Sequence, residues 1–72
     1  PEDARSLELW AETHYNMALL QFDGQDYELA SESAGALVAH VRREHARGVE
    51  NERSIAILKA AVELQRICAE RK

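Results

Sequence analysis

Residues 19–30 read Leu19-Leu20-Gln21-Phe22-Asp23-Gly24-Gln25-Asp26-Tyr27-Glu28-Leu29-Ala30, and this stretch decides how the chain is organised. It places a polar break between two segments whose apolar residues recur with helical spacing. Gly24 can take the left-handed backbone conformation that ends helices, and Asp26 can cap the helix that follows. The break therefore predicts two helices joined by a tight turn.

The remaining helix-breaking residues divide the 72-residue chain into three helical segments. Pro1 is the only proline, and Gly48 follows the second apolar segment. We expect helices at about residues 3–22, 26–47 and 51–71, with Asp3 capping the first and Gly48 closing the second. Short connections make successive helices antiparallel. The predicted fold class is all-α, a helical hairpin plus a third packing helix in one domain of residues 1–72.

The apolar faces of the first and third predicted helices are wide. At about 100° per residue, the second helix carries one compact stripe, whereas Ile55, Leu58 and Val62 extend the stripe of the third well around the cylinder. Leaving such side chains in water forfeits roughly 1.5–3 kcal/mol each, so we expect a further surface to cover them. The open alternatives are a second copy, a partner protein, or a continuation of the chain.

These faces predict a protein-interaction module rather than an enzyme. We expect it to self-associate, as a homodimer, or to bind a partner helix through its first and third helices. The residues expected to make the contact are Trp10, Tyr15, Leu19, Phe22, Ile57, Leu58, Ala61, Leu64 and Ile67. Gly35, inside the second helix, predicts close approach by another helix, because it costs roughly 1 kcal/mol there relative to alanine.

The charges are divided unequally along the chain. Residues 1–41 hold eight acidic residues and one basic residue, a net of −7, whereas residues 42–72 hold eight basic and five acidic residues, a net of +3. This polarity can orient two copies, and the acidic total argues against general affinity for nucleic acid. The alternative function is a small helical regulator, antitoxin-like or nucleic-acid-binding, which uses the basic cluster of Arg42, Arg43 and Arg47.

No residue pattern predicts a metal, a cofactor or a catalytic site. His40 and His45 are five positions apart, which places them about 140° from each other on a helix and makes them unsuitable as joint ligands of one metal. Cys68 is the only cysteine, which excludes an internal disulfide and suits a reducing, cytoplasmic location. The longest apolar run, residues 55–58, is far shorter than the ~20 residues that span a membrane.

Two stretches resemble a tetratricopeptide repeat, a helix-turn-helix unit of 34 residues. Residues 11–18 resemble the start of the first helix of a repeat, and residues 24–30 resemble its turn and the opening of its second helix. Ala18 stands at the small-residue position of close helix contact. The link around residues 42–48 is longer than this period allows, which is similar to the repeats of kinesin light chains and bacterial regulators.

The resemblance covers residues 11–64, about one and a half repeats, and it departs from the family at His14, Gln25 and Ala34. It implies that side chains of the first helix of each repeat line a concave surface that holds peptides or helices. Carried over by position, these residues are Glu12, Tyr15, Leu19, Phe22, Ser54, Ile57, Ala61 and Leu64. The chain is then either a small module or a part of a longer repeat array.

Overall fold

In a computed structural model that describes residues 3–71, the chain forms three α-helices of 20 residues each. They are α1 (Ala4–Asp23), α2 (Tyr27–Ala46) and α3 (Glu52–Arg71). No strand occurs within residues 3–71. The predicted all-α fold class is confirmed, and each helix begins and ends within one residue of the predicted range.

The first two helices begin at the predicted capping residues. An oxygen of the Asp3 carboxylate accepts a hydrogen bond of 2.8 Å from the backbone N–H of Ser6, and Asp26 accepts one of 3.2 Å from Leu29. Each bond satisfies a backbone donor that the first turn of a helix leaves without an intrahelical partner. Both caps are confirmed.

The turn after α1 differs from the prediction in one residue. Gly24 has a φ of −79°, and the left-handed residue is Gln25, with a φ of 65°. The N–H of Gln25 donates to the carbonyl of Phe22, and that of Asp26 donates to the carbonyl of Gln21. This pair of bonds is the Schellman arrangement, which places the left-handed residue one position beyond the cap, so the prediction for Gly24 is wrong.

The turn after α2 follows the same pattern with a glycine in the left-handed position. Gly48 has a φ of 89°, and its N–H donates to the carbonyl of His45. The next N–H, that of Val49, donates to the carbonyl of Glu44 at 2.9 Å. The prediction that Gly48 closes the second helix is confirmed.

Contacts between the helices fix their relative directions. Trp10 meets His40 and Gln21 meets Ser33, so α1 and α2 run antiparallel. His45 near the end of α2 meets Ser54, and Gly35 nearer its start lies beside Gln65, so α2 and α3 also run antiparallel. It follows that α1 and α3 run in the same direction, and each of them touches α2 more extensively than it touches the other.

The core consists of two clusters along α2. One, near the start of α1, contains Leu7, Ala11, Leu37, Val38, Val41, Ile57 and Ala61. The other, near the end of α1, contains Ala18, Ala30, Ala34, Leu64 and Cys68. Three of the five members of the second cluster are alanines, which lets the helix backbones approach closely there.

Gly35 lies beside α3, as its position inside α2 predicted. A Cβ atom at Gly35 would lie 3.0 Å from Nε2 of Gln65. The close neighbour is therefore the end of a side chain on α3 rather than its backbone.

Leu64→Ala should lower the free energy of unfolding by ~2–5 kcal/mol, because Leu64 is the largest aliphatic side chain of the second cluster and is 5% exposed. Urea denaturation followed by circular dichroism measures this change. Leu29→Ala makes the same chemical change at a side chain that is 42% exposed and should cost less than half as much. Equal effects of the two substitutions would contradict the burial of Leu64.

The Asp3 cap gives the stability of the protein a component that depends on pH. The hydrogen bond from the Ser6 backbone holds the pKa of Asp3 below its ordinary value of 3.8. This contribution is fully present above pH 3.8 and is lost as the pH falls through the lower folded-state pKa. Thermal melting should therefore show that the difference in melting temperature between the wild type and Asp3→Ala shrinks as the pH falls below 3.8. A constant difference between the two down to pH 2 would contradict this role.

Candidate partner-binding groove

A groove runs along the surface between α1 and α3. Its apolar section encloses about 320 Å³ and is lined by Tyr15, Leu19, Phe22, Ala60, Glu63, Leu64 and Ile67. A second section of about 260 Å³ continues towards the start of α3, beside Glu12, Arg53 and Ala56. Glu63 is the only charged residue in the lining of the apolar section.

Charged side chains lie at both ends of the groove formed by these two sections. At one end, Arg53 of α3 reaches Glu12 of α1 across the groove, with 3.4 Å between nitrogen and oxygen. At the other end, the guanidinium of Arg71 lies over the ring of Phe22, 5.6 Å from its centroid, and 5.9 Å from that of Tyr27. The Glu12–Arg53 pair is about half exposed, so it contributes little to stability and can be opened by a bound chain.

Four of the nine predicted contact residues line the groove and keep part of their surface exposed. They are Tyr15, Leu19, Phe22 and Ile67. Three others, Ile57, Ala61 and Leu64, are at most 7% exposed and belong to the core of the chain itself. They pack against α2, so little of their surface is left for a partner; Leu64 lies at the floor of the apolar section and Ile57 at that of the second section.

The last two predicted contact residues, Trp10 and Leu58, lie outside the groove. The ring of Trp10 stacks on His14, with 4.0 Å between centroids, and lies 4.2 Å from the ring of His40 on α2. Leu58 is partly buried against the first core cluster. Trp10 therefore packs between α1 and α2, outside the groove that Tyr15 and Phe22 line.

The start of α3 holds a polar network that the sequence analysis does not predict. Asn51 caps α3 by accepting a hydrogen bond of 2.8 Å from the N–H of Ser54, and the Asn51 N–H donates to Ser54 Oγ at 3.0 Å. The Asn51 side-chain amide also donates to Glu8 on α1 at 3.0 Å. On the other side, Ser54 Oγ lies 2.9 Å from Nε2 of His45 on α2. The network therefore joins all three helices.

The pair of Ser54 and His45 resembles a nucleophile with its base, but its hydrogen bonds indicate a structural role. Ser54 is completely buried, and its hydroxyl donates to the carbonyl of Asn51. The hydroxyl is therefore enclosed by groups of the protein itself and is not reachable from the surface. A nucleophile needs its hydroxyl exposed to a substrate.

The three arginines of the basic cluster do not act as one free group. Arg42 and Arg43 are exposed on α2. Arg47 forms an ion pair of 3.2 Å with Glu44, a carboxylate that is 5% exposed. Part of the positive charge that the alternative function requires is therefore neutralised within the protein.

The α3 side of the groove carries an ion-pair chain on its outer surface. Arg66 binds Glu63 and, at 2.6 Å, Glu70. The hydrogen bond from Arg66 holds the pKa of the Glu63 carboxyl below its ordinary value. Glu63 therefore remains ionised beside the groove at neutral pH, with its charge balanced from the side facing away from the groove.

Metal-binding clusters and membrane-spanning helices are both absent from the described part of the chain. Within residues 3–71, no three His, Cys, Asp or Glu side chains are grouped as they would be to hold a metal ion. None of the three helices combines the length and the hydrophobicity that crossing a membrane requires.

Asn51→Ala should destabilise the protein by about 1–2 kcal/mol, because it removes the cap of α3 together with the link to Glu8. Chemical denaturation measures the loss. Glu32→Ala is the control, since Glu32 is exposed within α2, and it should change stability by less than about 0.5 kcal/mol. If Asn51→Ala behaved like the control, the network would not hold α3 in place.

Comparison with known proteins gives no relative for this chain: no family model, no curated protein and no solved structure matches it. The geometry of the three helices is therefore the basis on which a function can be proposed.

Proposed function

We propose that this chain is a protein-interaction module that binds an apolar helical segment of another protein in the groove between α1 and α3. The observation that carries this proposal is the apolar section, where Tyr15, Leu19, Phe22 and Ile67 remain partly exposed side by side. Side chains of this kind gain free energy when a partner removes them from water.

The shape of the groove suits a helix. Its walls are two helices that run in the same direction, and Tyr15 to Phe22 covers two turns, about 10 Å of helix axis. A helix lying in such a groove inserts side chains at i, i+3 or i+4, and i+7, which recur over the same distance. Two or three apolar side chains of a partner can therefore occupy the 320 Å³ of the apolar section.

The bounding charges would align the partner along the groove. The Arg53–Glu12 pair and Arg71 lie at the two ends of the groove, and each can exchange its present contact for a polar group of a bound segment. Charged groups at the rim of an interface contribute more to orientation and to the association rate than to affinity.

The resemblance to tetratricopeptide repeats lends support from a separate direction. Four positions that the resemblance assigns to a concave binding surface, Glu12, Tyr15, Leu19 and Phe22, lie along this groove. Two others, Ser54 and Ala61, are completely buried in the chain, so the groove is narrower than the surface that the resemblance implies.

A library of random peptides displayed on phage tests this function, because the selection requires no identified partner. We expect selection on the wild-type chain to enrich peptides with apolar residues at i, i+3 or i+4, and i+7. Leu19→Glu places a charge in the apolar section and should weaken the binding of these peptides at least tenfold, measured by fluorescence anisotropy.

Ala39→Glu is the matched control, because it adds the same charge at an exposed position on α2. Circular dichroism establishes that both variants keep the helical content of the wild type. Selected peptides that bind wild type and Leu19→Glu equally well would show that the groove is not the binding site. A library that yields no helical pattern at all would count against the proposed function.

A further inference from the structure

The face of α1 that points away from α2 and α3 carries an apolar ridge of its own. Leu20 is 72% exposed, Leu9 is 53% exposed and Met17 is 48% exposed. These are three of the five large apolar side chains that are exposed in the described part of the chain. Thr13 and Asn16, also exposed, complete the ridge between them.

The spacing of the residues along the ridge is the same in both directions. Leu9, Thr13, Asn16 and Leu20 are separated by four, three and four positions. This is the spacing with which a helix contacts a second helix along one line. A two-fold axis between positions 14 and 15 would place Leu9 against Leu20 of a second copy, and Thr13 against Asn16.

Two charges of opposite sign flank the ridge near positions related by the same axis, which places Asp23 of one copy within one residue, about 1.5 Å along the helix, of the point opposite Arg5 of the other. Arg5 and Asp23 are 18 positions apart, which is five full turns at 100° per residue, so they lie on the same side of α1. Both are exposed, and they stand at opposite ends of the ridge. In an antiparallel helix pair, residues on the same side meet across the contact. Arg5 of one copy would therefore meet Asp23 of the other, twice in each dimer.

We propose that two copies of this chain associate through the α1 ridge as an antiparallel, two-fold symmetric dimer. The Leu9–Leu20 contacts lie at both ends of the interface, Thr13 and Asn16 lie at its centre, and the two Arg5–Asp23 ion pairs fix the direction. Met17 lies on the other side of the ridge and fills the space beside Thr13 of the second copy.

The symmetry of the ridge favours a closed pair over a chain of copies. A surface that is complementary to itself is used up when two copies have bound, whereas two different complementary surfaces would continue to add subunits. The groove between α1 and α3 is not consumed by this contact, although Asn16 borders both surfaces. The dimer therefore does not depend on the groove being a binding site.

The contact is small, so the dimer should depend on concentration. A single pair of 20-residue helices falls at the low end of specific interfaces, below about 1,200 Å² of total buried area. Such contacts are typical of reversible complexes. Sedimentation equilibrium of the full chain over a wide concentration range should show a monomer–dimer equilibrium with no larger species.

Leu20→Glu tests the apolar part of the ridge and should weaken the dimer at least tenfold. Val62→Glu is the matched control, since Val62 is exposed on α3, and the groove variant Leu19→Glu is a second control. Both controls should leave the dissociation constant within about threefold of the wild type. A wild-type monomer at every concentration would overturn the proposal, and so would a dimer that Leu19→Glu disrupts and Leu20→Glu does not.

A charge exchange tests the antiparallel direction with little risk to the fold. Arg5→Glu and Asp23→Arg each place like charges opposite one another and should weaken the dimer severalfold. Both place a favourable charge at their own end of the α1 dipole, so neither should unfold the helix. The double variant, and an equimolar mixture of the two single variants, should regain wild-type affinity. Failure of both to regain it would exclude the antiparallel arrangement.

Discussion

The hydrogen bonds that Asn51 makes at the start of α3 determine how the rest of the molecule is arranged. Asn51 ends the loop after α2, caps α3 and reaches Glu8 on α1. Through Ser54 the same network includes His45 on α2. Because these groups are partly or fully buried, a missing partner would cost more than the bond itself contributes. The network thereby ties the start of α3 to the start of α1, and the groove lies between these two helices.

The core along α2 leaves partly exposed apolar side chains between α1 and α3 on the opposite side. Ala18, Ala30 and Ala34 bring the helix backbones close together near the end of α1, where a larger side chain would hold them apart. Small residues against α2 leave the large ones, Phe22 and Ile67, at the edges of the contact. Those edges form the walls of the groove. The small residues of the core are thus the reason why large apolar side chains line the groove. The total accessible surface, 4592 Å², is nevertheless near the ~4,500 Å² expected for a folded monomer of this mass.

Features that depend on residues close together in the sequence can be predicted from it. The caps at Asp3 and Asp26 and the end of α2 at Gly48 are of this kind. The left-handed residue after α1 is predicted one position too early. In a Schellman turn its position depends on which backbone carbonyls accept the hydrogen bonds that close the turn, and the sequence does not show this. Helical periodicity identifies the apolar faces but not which edge of each face meets a neighbour. It therefore assigns Trp10 to the interface although this ring packs against His40, and the link between Asn51 and Glu8 requires the assembled fold.

Because Cys68 is completely buried, the reaction of its thiol can report when the structure around it opens. Cys68 is the only thiol in the sequence and lies in the second core cluster on α3. A thiol reagent in water can reach it only when α3 moves away from α2 or the chain unfolds. The rate of labelling at neutral pH is thus a measure of how often α3 detaches. Comparing that rate with global unfolding separates local release of the groove wall from loss of the whole fold.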